Sequence, residues 1–158
     1  MTSDEFDVVG KPLVYLAAPL FSDAEKRYNE EVAKELGNYF TIYLPQRDGG
    51  LMVDLIKRGH SAAQAGKVVF DMDTRAIQMS SAVIAILDGR VIDEGVALEL
   101  GYAYALGKPC YGFQTDPRRL LPSGNNPMVM GVLREIAHTI QELAQIARNL
   151  NAKLVMPR

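Results

Sequence analysis

Short, almost unbroken apolar runs alternate along this chain with stretches in which apolar side chains return every three or four positions. Residues 13–18, Leu-Val-Tyr-Leu-Ala-Ala, are closed by Pro19 and read as a strand covered on both faces. From Ser22 the period becomes helical: Ser22 can cap, Glu25 holds the capping-box position, and Tyr28, Val32 and Leu36 share a face before a stop at Gly37. Residues 40–44, closed by Pro45, form the second predicted strand. A helix follows over 67–80, with Val69, Met72, Ala76 and Met79 near one face. The most apolar run, 82–87, is the next strand and ends at Asp88-Gly89. Then come a helix over 94–106, a strand over 110–113, a connection over 115–127 rich in Pro, Gly and Asn, and a last helix over about 132–148, with a fifth strand expected at 152–156.

The order β-α-β-α-β-α-β-α indicates an α/β protein: a flavodoxin-like, doubly wound, mainly parallel five-stranded sheet in three layers. Residues 1–11 are expected to be a loose leader and 12–158 a single domain. The segment 46–66 has weak periodicity and follows the C-terminal end of a strand, where such folds keep a substrate cover.

Composition narrows the class. The 158 residues are 48% hydrophobic, enough for one layered core. Seventeen Lys+Arg against nineteen Asp+Glu, without a long basic block, argue against nucleic acid as a partner. The lone Cys110 excludes an internal disulfide framework, and His60 and His138 lack zinc-ligand spacing. Asp4, Glu5 and Asp7 stand where an export signal would be basic, and apolar runs are too short to span a membrane, so a cytoplasmic protein is expected.

In a doubly wound sheet ligands gather at the C-terminal strand ends. Tyr15, Asp88, Asp93 and Asn125-Asn126 fall there. The first strand–helix junction lacks the glycines of a dinucleotide site, and no P-loop occurs. More informative is Asp93 at a helix entrance with Glu99 inside that helix: six residues rise only about 9 Å, so the two carboxylates can border one pocket. Asp73 on the preceding helix is better placed to join them than Asp71, which shares the solvated side with Arg75. Taken singly, each acid reads first as surface. Magnesium is a minor alternative use of such a cluster, and no diphosphate-binding feature accompanies it.

The run Asp93-Glu-Gly-Val-Ala-Leu-Glu99-Leu-Gly-Tyr-Ala-Tyr-Ala-Leu-Gly107 resembles the nucleoside 2-deoxyribosyltransferase family. The resemblance extends from Val14-Tyr15-Leu16-Ala17-Ala18-Pro19-Leu20-Phe21, through Asp73 and residues 81–85, to Asn126-Pro127-Met128, and covers about 12–142. It implies transfer of 2-deoxyribose between nucleobases with retention at the anomeric carbon. Glu99 matches the nucleophile that forms a covalent deoxyribosyl-enzyme, Tyr15 the tyrosine that orients it, and Asp73 and Asp93 the acids that hold the base and manage its proton. Asn126 matches an asparagine offered to the sugar 5′-hydroxyl by a neighbouring subunit, and Ala17, Gly95 and Met128 complete the expected substrate contacts. The implied partners are deoxyribonucleosides and free purine or pyrimidine bases, without a cofactor or resident metal, in a homodimer-based tetramer or hexamer with shared sites. The chemistry is coherent on its own terms: the departing base needs a proton, and the oxocarbenium-like sugar favours an ionised carboxylate.

Two features depart from the family pattern. The sequence ends Lys153-Leu-Val-Met-Pro-Arg158 where better-known members carry a tyrosine that closes the site, and Arg118-Arg119 followed by Ser123-Gly124 suggests a 5′-phosphate. A 2′-deoxynucleoside 5′-monophosphate N-glycosidase is therefore the enzymatic alternative, and a nonenzymatic nucleotide-binding module the alternative of another class.

Overall fold

The computed structural model describes residues 10–118 and 124–155. Five strands form one sheet: β1 (Leu13–Ala17), β2 (Thr41–Tyr43), β3 (Ala82–Ile86), β4 (Cys110–Phe113) and β5 (Leu133–Ala137). Their order is β2-β1-β3-β4-β5 and every pairing is parallel. This is the flavodoxin-like order, whose switch point lies between β1 and β3. The helices are α1 (Asp23–Leu36), α2 (Met52–Lys57), α3 (Ala62–Met79), α4 (Glu94–Ala105), α5 (Pro127–Val132) and α6 (Ile140–Val155), with a π-helical turn over Pro45–Gly49.

Alternation along the strands divides the core. Val14, Leu16, Ile84, Ile86 and Phe113 face α1 and α6, where Val32, Leu36, Leu143 and Ile146 meet them. Tyr15, Ala17, Tyr43, Val83, Ala85 and Cys110 face the other way, against Ile77 of α3 and Val96 and Leu100 of α4. The period of two that builds the sheet thus also delivers two tyrosines to the α3–α4 side.

The capping box expected at Ser22 is present: Glu25 N donates to Ser22 Oγ and Glu25 Oε2 accepts from Ser22 N, at 3.2 and 2.7 Å. Gly37 ends α1 as expected, but with φ −60°, so its role is to stop the helix without a left-handed turn. The segment 46–66 is more ordered than its periodicity suggested. It contains the end of the π turn, α2 and the start of α3, whose Ser61–Gln64 capping box moves that helix's beginning five residues ahead of the predicted 67.

The C-terminal part corrects the sequence reading. The predicted helix over 132–148 is instead β5 followed by α6, and the strand expected at 152–156 is the end of α6 as far as Val155. Leu133, Ile136, Ala137 and Ile140 fit a helical period, but the chain bends at His138-Thr139, between the end of β5 and the start of α6. There Glu142 N donates to Thr139 Oγ1 and Glu142 Oε2 accepts from His138 N, so two backbone donors at the start of α6 are satisfied by side chains.

Candidate active site

β1 and β2 pair with Tyr15 opposite Tyr43, and their rings stack with centroids 5.4 Å apart and planes 17° from parallel. Both tyrosines are buried, at 0% and 2% exposure, yet each hydroxyl reaches a carboxylate on a helix. Tyr15 Oη donates to Glu99 Oε1 at 2.5 Å, and Tyr43 Oη donates to Asp73 Oδ1 at 3.0 Å. Glu99 sits between the buried positions Val96 and Leu100 of α4, and Asp73 lies three residues before buried Ala76 on α3. The helical faces that fill the core therefore carry the two acids to the edge of that core.

Asp93 opens α4 as its N-cap, accepting from Val96 N at 3.0 Å. A Cβ on Gly95 would stand 3.0 Å from Asp93 Oδ2, so glycine there leaves the cap room. Asp73 and Glu99 border a pocket of about 560 Å³ between α3 and α4, whose wall is mainly apolar (Met52, Val69, Phe70, Ile77, Leu98) with Thr74, Gln78 and Tyr102 as its neutral polar groups. Such a wall suits a flat, weakly polar ring and leaves the polar work to a few groups.

Electrostatics follow from burial. Burial lifts Glu99 to about 8 against the opposing Tyr15 hydrogen bond, and the charges of Asp73 and Asp93 add to the rise. Burial likewise lifts Asp73 to about 6, with the Tyr43 hydrogen bond holding it down. Burial and the nearby carboxylates of Glu99 and Asp73 keep the Tyr15 phenol protonated far above its ordinary range. Both acids are thus raised, Glu99 further than Asp73, and such a separation of proton affinities is what lets an acid and a carboxylate coexist in one pocket.

Of the residues singled out by sequence, the structure brings together Tyr15, Asp73, Asp93, Gly95 and Glu99, with Ala17 buried on the same strand face as Tyr15. It does not bring Asn126 or Met128 to them within the chain. These two line a second pocket of about 580 Å³ with Ala97, Gly101 and Tyr104, whereas the Glu99 pocket uses Gly95, Leu98, Glu99 and Tyr102. At 100° per residue the two sets occupy opposite faces of α4. Asn126 caps α5 by accepting from Met128 N at 2.8 Å, and Met128 is 79% exposed.

Other polar residues at the strand ends are used by the fold. Asp88 accepts from Thr115 N, Thr115 Oγ1 and Asp116 N, and Asn125 exchanges amide hydrogen bonds with Gln114. Asp71 pairs with Lys67 at 2.8 Å on the solvent side of α3. Arg118 is engaged with Asp116 at 2.5 Å, while Arg119 and Ser123 lie outside the described residues. Among the described residues no cluster of three or more His, Cys, Asp or Glu side chains has the geometry to hold a metal ion, and no helix is long and apolar enough to cross a membrane. Tyr43 was missed by sequence reasoning. Its signal was a hydroxyl-bearing ring at the C-terminal end of a short strand, beside Tyr15 in the register of β1.

A family model described as nucleoside 2-deoxyribosyltransferase matches residues 14–150. No curated protein matches the chain. Among solved structures, a conserved protein from Enterococcus faecalis V583 is similar with a TM-score of 0.74 and 25% identity, over 89% of this chain and 99% of that one. A 2-deoxyribosyltransferase from Bacillus psychrosaccharolyticus has a TM-score of 0.66 at 23% identity, covering 84% and 90% of the two chains. The CMP N-glycosidase BcmB from Clostridium botulinum has a TM-score of 0.56 at 18% identity, covering 86% and 98%. At these identities the last two establish likeness of fold.

Proposed function

Since the chain belongs to the nucleoside 2-deoxyribosyltransferase family, we propose that it exchanges the nucleobase of 2′-deoxyribonucleosides through a covalent deoxyribosyl-Glu99 intermediate, with retention at the anomeric carbon. The observation that carries this reading is the 2.5 Å contact from Tyr15 Oη to Glu99 Oε1, beside the matching Tyr43–Asp73 contact.

Tyr15 fixes one oxygen of Glu99 and leaves the other to attack. A bond forms from that oxygen to the anomeric carbon as the glycosidic C–N bond breaks, and the electron pair of that bond goes to the base nitrogen. The base takes up the proton held by the carboxylate pair. In the empty site burial favours that proton on Glu99; positive charge developing on the sugar favours ionised Glu99 and shifts the proton towards Asp73 and the base. Asp93 holds the base edge from the mouth of α4. A second base then enters, returns a proton to the pair, and displaces Glu99 from the sugar, so two inversions give retention.

The same reading takes the working molecule to be a homodimer-based assembly in which Asn126 and Met128 of one copy complete the sugar side of another's Glu99 pocket. The hydrolytic alternative requires a cationic seat for a 5′-phosphate; of the residues expected to form it, Arg118 pairs with Asp116 on the surface, and Arg119 and Ser123 lie outside the described residues.

The test is to incubate deoxyinosine or thymidine with adenine and, separately, deoxynucleoside 5′-monophosphates without an acceptor. Free base, free sugar and new nucleoside are followed together. Deoxyadenosine is the expected main product. Release of deoxyribose 5-phosphate with no exchange at high adenine would overturn the proposal in favour of an N-glycosidase.

A further inference from the structure

We propose that Tyr43 and Gly49 form a holder for Asp73, and that Tyr43 is a positioning residue that selects which oxygen of Asp73 faces the departing base. The inference rests on the base-exchange reading of the site and adds to it a part that no resemblance supplied.

The holder is built where β2 gives way to the π turn. Asp48 Oδ2 accepts from Leu44 N at 2.8 Å, and Arg47 Nη2 donates to Ile42 O at 2.8 Å, so the turn is tied back to the strand it leaves. Pro45 and Gly49 of the turn are buried. The turn thereby presses the Gly49 backbone against the acid: a Cβ added there would fall 2.5 Å from Asp73 Oδ1 and 2.9 Å from Tyr43 Oη. Real side chains do not approach so closely, so this close contact requires glycine. Oδ1 is enclosed by the Tyr43 hydroxyl on one side and the Gly49 backbone on the other, and Oδ2 is the oxygen left to the pocket that Asp73 lines.

Stacking completes the arrangement. The Tyr43 ring lies on Tyr15, whose own hydroxyl holds Glu99, so one aromatic pair fixes both reacting acids. The titratable groups around the Tyr43–Asp73 contact are Tyr15 from β1, Asp48 from the π turn and Glu99 from α4, with Asp93 beyond Glu99 at the start of that helix, while α2 brings the apolar Met52 to the same pocket. In this acidic and apolar setting the phenol donor is what favours the charged form of Asp73, whose midpoint of about 6 burial would otherwise push higher.

The experiment compares wild type, Tyr43→Phe and Gly49→Ala. Asp73 is titrated by carboxyl carbon NMR in substrate-free protein, assigned by its loss in Asp73→Asn, and the pH profile of kcat/KM is measured with deoxyinosine and adenine. In Tyr43→Phe the Asp73 midpoint is expected to rise by about one pH unit, since the anion loses a donor while burial persists. The acid limb of the profile should rise with it, because the doubly protonated pair then persists to higher pH. At the pH optimum kcat should fall about tenfold or more while KM changes less than about threefold, the pattern for a group that acts in the transition state. Gly49→Ala should give the same direction by forcing Asp73 away from Tyr43, and it decides the matter if Tyr43→Phe does not fold. An Asp73 midpoint unmoved in the folded variants would overturn the inference. That outcome is separate from failure of the base-exchange reading, which would show as wild-type protein lacking exchange while the substrate-free titration still responds to Tyr43.

Discussion

At the scale of the residue, the candidate site keeps carboxylates where charge is unfavourable. Glu99 has its ordinary proton affinity in the unfolded chain and a midpoint of about 8 when folded. A raised folded value means that its contribution to stability is fully present below about pH 4.5 and is lost as pH rises towards 8, at about 1.4 kcal/mol per pH unit inside that window. Glu99→Gln keeps the shape and an oxygen for the Tyr15 hydroxyl but cannot ionise. The variant should therefore melt increasingly above wild type between pH 5 and 8, and the gain should level off beyond. It should also lose base exchange, since an amide is a poor nucleophile at the anomeric carbon. Thermal unfolding across pH 5–9 measures the first effect; a difference in melting temperature that does not vary with pH would show that Glu99 carries no burial penalty.

At the scale of the element, the site is held by parts of very different solidity. α3 and α4 bury Ile77, Val96 and Leu100 in the core, whereas α2 has no buried residue and leaves Val53 and Ile56 exposed. Met52 of α2 nevertheless lines the Glu99 pocket, so in the segment 46–66 a helix without buried residues stands between the π turn and the start of α3. Local opening is governed by buried contacts, so amides of α2 should exchange with solvent much faster than those of α3. Saturating deoxyinosine on the inactive Glu99→Gln variant should slow them; unchanged α2 exchange at saturation would mean that this segment does not close over the substrate. The sequence made the first four strands, α1 and α4 readable because each pairs a clean apolar period with a definite stop. It left α3 short because the apolar period is weak over residues 62–66 in spite of the Ser61–Gln64 capping box, and it merged β5 with α6 because an apolar period runs across the Thr139–Glu142 contact that starts α6. Among the candidate site residues, Glu99, Asp73, Asp93 and Tyr15 stand in motifs, while Tyr43 and Gly49 do not. Their meaning lies in a strand register and in an approach of backbone to carboxylate, both of which exist only after folding.

At the scale of the whole molecule, α4 acts as a partition. One face carries Glu99 towards the sheet, and the other, with Tyr104, lines the second pocket beside Asn126 and Met128. In the lining of that second pocket Val91, Tyr104 and Met128 are exposed, and large apolar side chains grouped on a surface are the mark of an interaction face. Within one chain the partition keeps Asn126 from Glu99, so a role for Asn126 at the sugar demands a second copy whose α5 reaches across to its neighbour's pocket. A twofold arrangement makes that exchange mutual, each copy giving Asn126 and receiving it. Sedimentation at working concentration should accordingly show dimers or larger assemblies with little monomer. Met128→Glu places a charge in the centre of the exposed patch and should shift the distribution to monomer. Activity should fall with it even though Glu99, Tyr15 and Asp73 are untouched, because the sugar loses its partner-borne contact. The loss should shrink as protein concentration is raised, since mass action restores the assembly, whereas a defect inside the chain would not respond. A wild-type monomer that exchanges bases at full rate would show that each chain closes its own site and that Asn126 serves only to cap α5.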